Sequence, residues 1–115
     1  MSDEKGRPFF IDTSPTDDFL FLVRKKQAFD KVEVELNIAL GKFPDWPADP
    51  FHALAVLGEE FGELTKETLQ TTYEPEKGSS MVSVYEEALQ VAAMAMRFLI
   101  MIPSYEFHRG KQVKS

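Results

Sequence analysis

The 115-residue chain has no cysteine. A disulfide framework, a thiolate nucleophile and a cysteine-based zinc site are therefore excluded, and any chemistry must use oxygen or imidazole groups. Positive charge is also scarce, because 13 Lys and Arg stand against 19 Asp and Glu, for a net charge of −6. Affinity for nucleic-acid backbones comes largely from Lys and Arg, so we expect no nucleic-acid partner. A nucleotide can still bind if a divalent cation reverses the local charge.

Long apolar runs and several common motifs are missing as well. No stretch reaches the roughly 20 apolar residues needed to span a bilayer, so we expect no membrane association. Residues 1–8 are charged and lack the apolar centre of a signal peptide, which favours a cytoplasmic location. No alternating strand pattern, internal repeat, Gly-rich phosphate loop, Ser-His-Asp arrangement or zinc motif occurs.

The patterns that are present predict an all-α fold. Ser14-Pro15 is a helix start, and an apolar stripe at three- and four-residue spacing continues to about Gly41. Three prolines then interrupt residues 42–50, and Asp49-Pro50 opens a second helix that ends near Thr71. Ser79 or Ser80 is the expected cap of a third helix, which ends near Ile102, before Pro103. The predicted organisation is an arm over residues 1–13, a helical domain over 14–102 and a tail over 103–115.

The third helix indicates how the bundle is completed. Between Ala88 and Ile102 only Gln90 and Arg97 are polar. A helix that is apolar almost all round must be buried on most sides, and two other helices cannot easily enclose it. We therefore expect this helix at a subunit interface, in a homodimer or homotetramer.

The second helix carries an acidic stripe. Glu60, Glu63 and Glu67 are neighbours at helical spacing, with Glu59 at their flank. Such a stripe is usually a solvated face. It becomes favourable when Mg²⁺ lies among the carboxylates, since that ion prefers carboxylate and water oxygens.

Two further features favour a site over a solvated face. Gly58 and Gly62 lie inside an otherwise good helix, where each glycine lowers helix stability by about 1 kcal/mol relative to alanine. Close approach of a ligand or another helix would explain their presence. Glu87 and Gln90 share a face of the third helix, and antiparallel packing would bring that face to the acidic stripe. Gln90 and Arg97 need polar partners if buried, either through core hydrogen bonds or through a nucleotide.

The string Glu59-Glu60-Phe61-Gly62-Glu63-Leu64 resembles the EExGEL signature of the MazG-like, all-α NTP pyrophosphohydrolase superfamily. The resemblance covers about residues 28–101. In that family an E-x-x-E and an E-x-x-D motif on successive helices bind Mg²⁺. It implies metal ligation by Glu60, Glu63 and Glu87, with Gln90 in place of the aspartate. Glu86 replaces a lysine that often precedes the second motif.

The resemblance also implies an activity, the hydrolysis of a nucleoside or deoxynucleoside triphosphate to the monophosphate and pyrophosphate. Mg²⁺, or Mn²⁺, would neutralise the phosphates. We assign catalysis to Glu59 and Glu60, with Glu59 orienting or deprotonating the attacking water. The alternative is a non-catalytic helical module, for nucleotide binding or protein interaction, that has lost a metal ligand at Gln90.

Substrate contacts are expected from three other side chains. Arg97 suits a phosphate because its guanidinium matches phosphate oxygens, Lys42 could counter another phosphate, and Trp46 could stack on the base. The competing interpretation of Trp46 is that it packs the proline-rich loop. For His52, a helix cap or a surface position is the more typical role. His108 has no residue at a sequence spacing that would make it a functional partner.

Overall fold

The computed structural model describes residues 15–107 and contains helices but no strand within that range. The α-helices are α1 (Pro15–Lys42), α2 (Pro50–Tyr73) and α3 (Met81–Ile100), and short 3-10 turns cover Pro75–Lys77 and Ile102–Ser104. For these residues, the prediction of an all-α fold with three main helices is confirmed. The Ser14 cap, the arm over 1–13 and the tail beyond residue 107 lie outside the described residues.

The start of α2 is fixed by Asp49 and Pro50, as predicted. Asp49 adopts extended backbone angles, and its Oδ1 accepts hydrogen bonds from the amides of Phe51 at 2.8 Å and His52 at 3.4 Å. Pro50 occupies the first helical position, where an amide proton would have no helical partner. This cap separates the proline-rich loop from the helix that carries the acidic stripe.

The connection from α2 to α3 is formed by residues with known turn and cap preferences. After the first 3-10 turn, Gly78 has φ of +90°, a left-handed conformation that glycine adopts without steric cost. Ser80 then caps α3 by accepting a hydrogen bond from the amide of Ser83. At its other end α3 stops two residues earlier than predicted, because the backbone tightens into a 3-10 turn around Pro103.

Two compact units make up the chain, Met1–Lys31 and Val32–Ser115. Helix α1 contributes to both. In the first unit, Lys26 and Asp30 form an exposed ion pair one helical turn apart, at 3.3 Å. The second unit contains the end of α1, the loop over residues 43–49, α2 and α3. The single helical domain over 14–102 stays a prediction.

Helices α2 and α3 pack antiparallel, as two contacts at opposite ends establish. Near the start of α3, Ser79 donates to Glu67 or Gln70 in the last turns of α2. Beyond the end of α3, the amide of Glu106 donates to the carbonyl of Ala48, just before α2. The premise that α2 and α3 pack antiparallel therefore holds for the described residues.

Burial in the described part of the second unit is confined to a few side chains. The buried residues are Ala53, Ala93, Met94, Arg97 and Tyr105. Many large apolar side chains of α2 and α3 remain exposed, such as Met81 and Leu99. The expectation that three helices cannot enclose α3 agrees with this pattern. Among the described residues, no helix is both long and apolar enough to cross a membrane.

Candidate functional site

A cavity of about 660 Å³ opens between the end of α1, the proline-rich loop, α2 and α3. One part of its wall is acidic and polar, and another part is aromatic and apolar. Among the predicted site residues, those that line it are Trp46, Glu59, Glu60, Gln90 and Arg97. Its other lining residues are Ala39, Phe43, Asp45, Pro47, His52, Val56 and Met94.

Three predicted residues lie elsewhere. Lys42 is exposed in the last turn of α1 and is not part of the cavity wall. Glu63 and Glu87 are also outside the wall, although both act electrostatically on its acidic side. His52 lines the cavity while its amide bonds to the Asp49 cap, and His108 lies outside the described residues.

Arg97 connects α3 to the proline-rich loop. It is only 3% exposed, and its Nη2 donates to the carbonyl of Phe43 at 2.7 Å. The carbonyls of Pro44 and Asp45 lie at 3.2 and 3.5 Å from the same nitrogen. The guanidinium also lies over the Trp46 ring, with its carbon 4.7 Å from the ring centroid. A buried cation thus meets backbone dipoles and an aromatic face.

Trp46 is held by the segment that follows α3. Its Nε1 donates to the hydroxyl of Tyr105 at 2.7 Å, and that hydroxyl donates to the Phe98 carbonyl at 3.3 Å. The Tyr105 and Phe98 rings are 5.1 Å apart. Trp46 therefore packs the loop, the competing interpretation from the sequence, while it also lines the cavity. Its stacking on a base stays a prediction.

Glu60 belongs to the acidic part of the cavity wall. Burial raises the pKa of its carboxyl above 4.5, and the negative charges of Glu87, Glu59 and Glu63 raise it further. The charge of Glu87, on α3, is the largest of these three influences. The acidic stripe of α2 thus lies close enough to the E-x-x-Q face of α3 for the two to interact.

The pKa of Glu87, on α3, is raised by similar causes. Burial again raises its pKa above 4.5, followed by repulsion from Glu63, Glu67 and Glu86. Like charges that raise one another's pKa repel each other, and a cation placed among them would reduce this repulsion.

The donors of this region are suited to a hard cation in chemical type. Glu60, Glu63 and Glu87 offer carboxylate oxygens and Gln90 an amide oxygen, the ligand types that Mg²⁺ takes. Within residues 15–107, however, no three His, Asp or Glu side chains converge on a position that could hold a metal ion. A shared ion therefore requires these glutamates to rotate into other side-chain rotamers.

Gln90 has a partner that the sequence reading did not identify. Its Nε2 donates to Oε2 of Glu35 on α1, at 2.5 Å and 55 residues away in sequence. A signal for Glu35 was present, because it lies three residues after Val32 and four before Ala39, on the apolar stripe. An acid at such a position faces other helices and requires a polar partner.

No described residue explains why glycine stands at positions 58 and 62 inside α2. A Cβ atom added to Gly58 or Gly62 meets none of the described atoms within 4 Å. The expected close approach of another helix is therefore not made by the described residues.

Comparison with protein-family models, with curated proteins and with solved structures found no match. The likeness to MazG-like enzymes thus rests on the residue string from Glu59 to Leu64 and on Glu87.

The raised pKa values lead to a pH-dependent prediction. The folded protein binds protons at Glu60 and Glu87 more readily than the unfolded chain, so their contribution to stability is fully present below pH 4.5. It is lost as the pH rises through the folded-state pKa values. Glu60→Gln should therefore raise the melting temperature near neutral pH in the presence of a chelator, and this gain should shrink as the pH falls towards 4.5.

Thermal denaturation followed by circular dichroism over that pH range measures the effect. Glu76→Gln, in the first 3-10 turn, is the matched control and should leave the melting temperature unchanged. A gain for Glu60→Gln that does not vary with pH, or a loss at neutral pH, would contradict the electrostatic account.

Proposed function

We propose that the protein is a Mg²⁺-dependent nucleoside triphosphate pyrophosphohydrolase of the MazG-like kind, acting in the cytoplasm. The observation that carries the proposal is the antiparallel packing of α2 and α3. It brings the charge of Glu87 close to Glu60, which lines a cavity together with Trp46 and Arg97. Acidic residues for a cation and an aromatic, partly apolar wall for a base therefore border one space.

The chemistry is a hydrolysis in which water attacks the α-phosphorus. The bond from that phosphorus to the oxygen bridging the α- and β-phosphates breaks, and pyrophosphate leaves with the bond electrons. Glu59 lines the cavity beside Glu60 and takes the proton of the attacking water or orients that water. The cation, when bound by Glu60, Glu63, Glu87 and Gln90, supplies positive charge that neutralises the phosphates.

The cavity supports a ligand of nucleotide size. Its volume of about 660 Å³ falls within the roughly 300–1,000 Å³ typical of small-molecule sites. The base would lie against Trp46 and the phosphates towards the acidic wall. Arg97 adds positive charge next to Trp46, although its Nη2 already binds loop carbonyls. Lys42, outside the cavity wall, has the least support among the proposed substrate contacts.

A second function has specific observations in its favour. Gln90 Nε2 and Arg97 Nη2 already have protein partners without a nucleotide, although Arg97 Nε is buried without one. No three acidic or histidine side chains in residues 15–107 converge as a ligand set. Both facts fit a non-catalytic helical module for nucleotide binding or protein interaction. Turnover distinguishes this alternative from the enzyme.

Assembly into a homodimer or homotetramer is part of the proposal. Exposed apolar side chains on α3 include Met81, Val82, Leu99 and Ile100, and contiguous exposed apolar surface commonly marks an interface. Burying this surface against a second copy would complete the bundle.

The assay that tests the activity is pyrophosphate release from each common nucleoside and deoxynucleoside triphosphate with Mg²⁺ or Mn²⁺. Wild-type protein should release pyrophosphate and the monophosphate with at least one substrate. Glu59→Gln should lower kcat by about 10²–10⁴-fold, the usual contribution of a general base. Glu76→Gln should retain the wild-type rate. No metal-dependent release from any substrate would contradict the enzyme and favour the non-catalytic module.

Sedimentation tests the assembly. We expect wild-type protein at micromolar concentration to sediment as a dimer or tetramer. Leu99→Glu should shift it towards smaller species, because a charge on this exposed apolar face opposes its burial. A wild-type monomer at that concentration would show that the exposed face is not a self-association surface.

A further inference from the structure

Helix α2 has a second face, opposite the one that packs on α3, where Ala53 is fully buried. The residues of this second face recur at three- and four-residue spacing, and all are exposed: Phe51, Ala55, Gly58, Gly62, Thr65 and Leu69. We infer that α2 of a second copy packs antiparallel on this face, with a twofold axis at Gly62. The surface is separate from the apolar face of α3, and its role stands whether or not the protein hydrolyses nucleotides.

Large apolar side chains lie towards both ends of this face. Phe51 is 80% exposed, Leu69 52% and Tyr73 76%. A helix that packs on one neighbour and is also apolar on its opposite face is stabilised when both faces are covered. Hydroxyl groups do not oppose this burial, because those of Thr65 and Thr72 each donate to a carbonyl of α2 itself, at 2.9 and 2.8 Å.

The middle of the face is open and small. A Cβ atom at Gly58 or Gly62 would meet none of the described atoms within 4 Å. Beside Gly62 lies a groove of about 470 Å³, with Leu69 and Tyr73 among its lining residues. Glycine lowers helix stability relative to alanine, and the close approach of another backbone is a physical reason for its presence. The face therefore has room for a helix.

The order of residues along the face is complementary to itself in reverse. When an antiparallel copy is turned about an axis at Gly62, Phe51 faces the partner's Tyr73. By the same rotation Ala55 faces the partner's Leu69. The members of each pair are equally far from Gly62 along the chain. A large side chain thus meets a small one near the middle, and two aromatic rings meet at each end.

Charge favours a second copy over another helix as the occupant. Glu59 and Lys66 are seven residues apart and therefore lie on the same flank of the face. In an antiparallel pair equivalent flanks meet, so Lys66 lies beside the partner's Glu59, and the symmetric pair forms as well. Each copy supplies both the acid and the base, as a twofold interface requires.

Sedimentation velocity of the full-length protein tests the surface. Two different twofold contacts generate a tetramer, so wild type should form tetramers at micromolar concentration. Gly62→Glu places two like charges at the axis and should raise the dissociation constant of that contact at least about tenfold, leaving dimers joined through α3. Leu99→Glu should leave dimers joined through α2, and the combined variant should be monomeric. Gly41→Glu, at another exposed helix glycine with open surroundings, is the matched control and should sediment like wild type.

Disulfide cross-linking tests the register and needs no change at Gly62. The chain has no cysteine, so only introduced thiols can pair. Ala55→Cys combined with Leu69→Cys should give a covalent dimer on oxidation, because each thiol faces its counterpart in the second copy. The two single variants are the controls and should not cross-link. In this register identical positions are about 21 Å apart, beyond the roughly 7 Å that a disulfide can span between Cα atoms.

The outcomes distinguish this surface from the other proposals. If Gly62→Glu is folded by circular dichroism and sediments like wild type, or if Leu99→Glu alone is monomeric, the α2 surface is overturned. Cross-linking of the single variants without that of the double variant would overturn the antiparallel register. A wild-type monomer would overturn both the α2 and the α3 contacts. Pyrophosphate release is measured separately and decides the activity alone.

Discussion

The antiparallel packing of α2 on α3 is the interaction on which the candidate site depends. Ala53 on α2 and Ala93 on α3 are both fully buried, and such small side chains let two helices approach closely. About two helical turns after Ala53 comes Glu60, and nearly the same distance before Ala93 comes Glu87. The charge of Glu87 raises the pKa of Glu60, so the antiparallel pair brings these two acids near one another. The packing that gives the second unit its core therefore also concentrates negative charge, which raises the pKa of both carboxyls.

The proline-rich loop cannot hold its shape through helical or sheet hydrogen bonds, so its order must come from other elements. Arg97 provides one attachment, by donating to consecutive loop carbonyls, and Tyr105 provides another, through the indole of Trp46. Both attachments come from α3 or the segment after it. The aromatic side of the cavity is thus attached to α3, while its acidic residues Glu59 and Glu60 lie on α2.

Sequence reasoning located most features whose cause is local. The Asp49-Pro50 cap, the proline-rich break and the Ser80 cap each depend on a few adjacent residues, and the structure has all three. The meeting of the acidic stripe with Glu87 followed from one short connection between two helices. Contacts between distant segments were missed. Glu35 meets Gln90 across 55 residues and Trp46 meets Tyr105 across 59, and no local pattern specifies such pairs. For Gly58 and Gly62 the described chain supplies no close neighbour, so the close approach of a ligand or another helix stays a prediction.

A divalent cation between α2 and α3 is the central claim, because the proposed activity depends on it. The most direct measurement is anomalous X-ray scattering from crystals of the protein grown with Mn²⁺. The account predicts an anomalous peak between α2 and α3, within ligand distance of Glu60, Glu63 and Glu87 oxygens and of the Gln90 amide oxygen. A well-ordered structure in which Mn²⁺ binds only elsewhere, or binds nowhere, would contradict it.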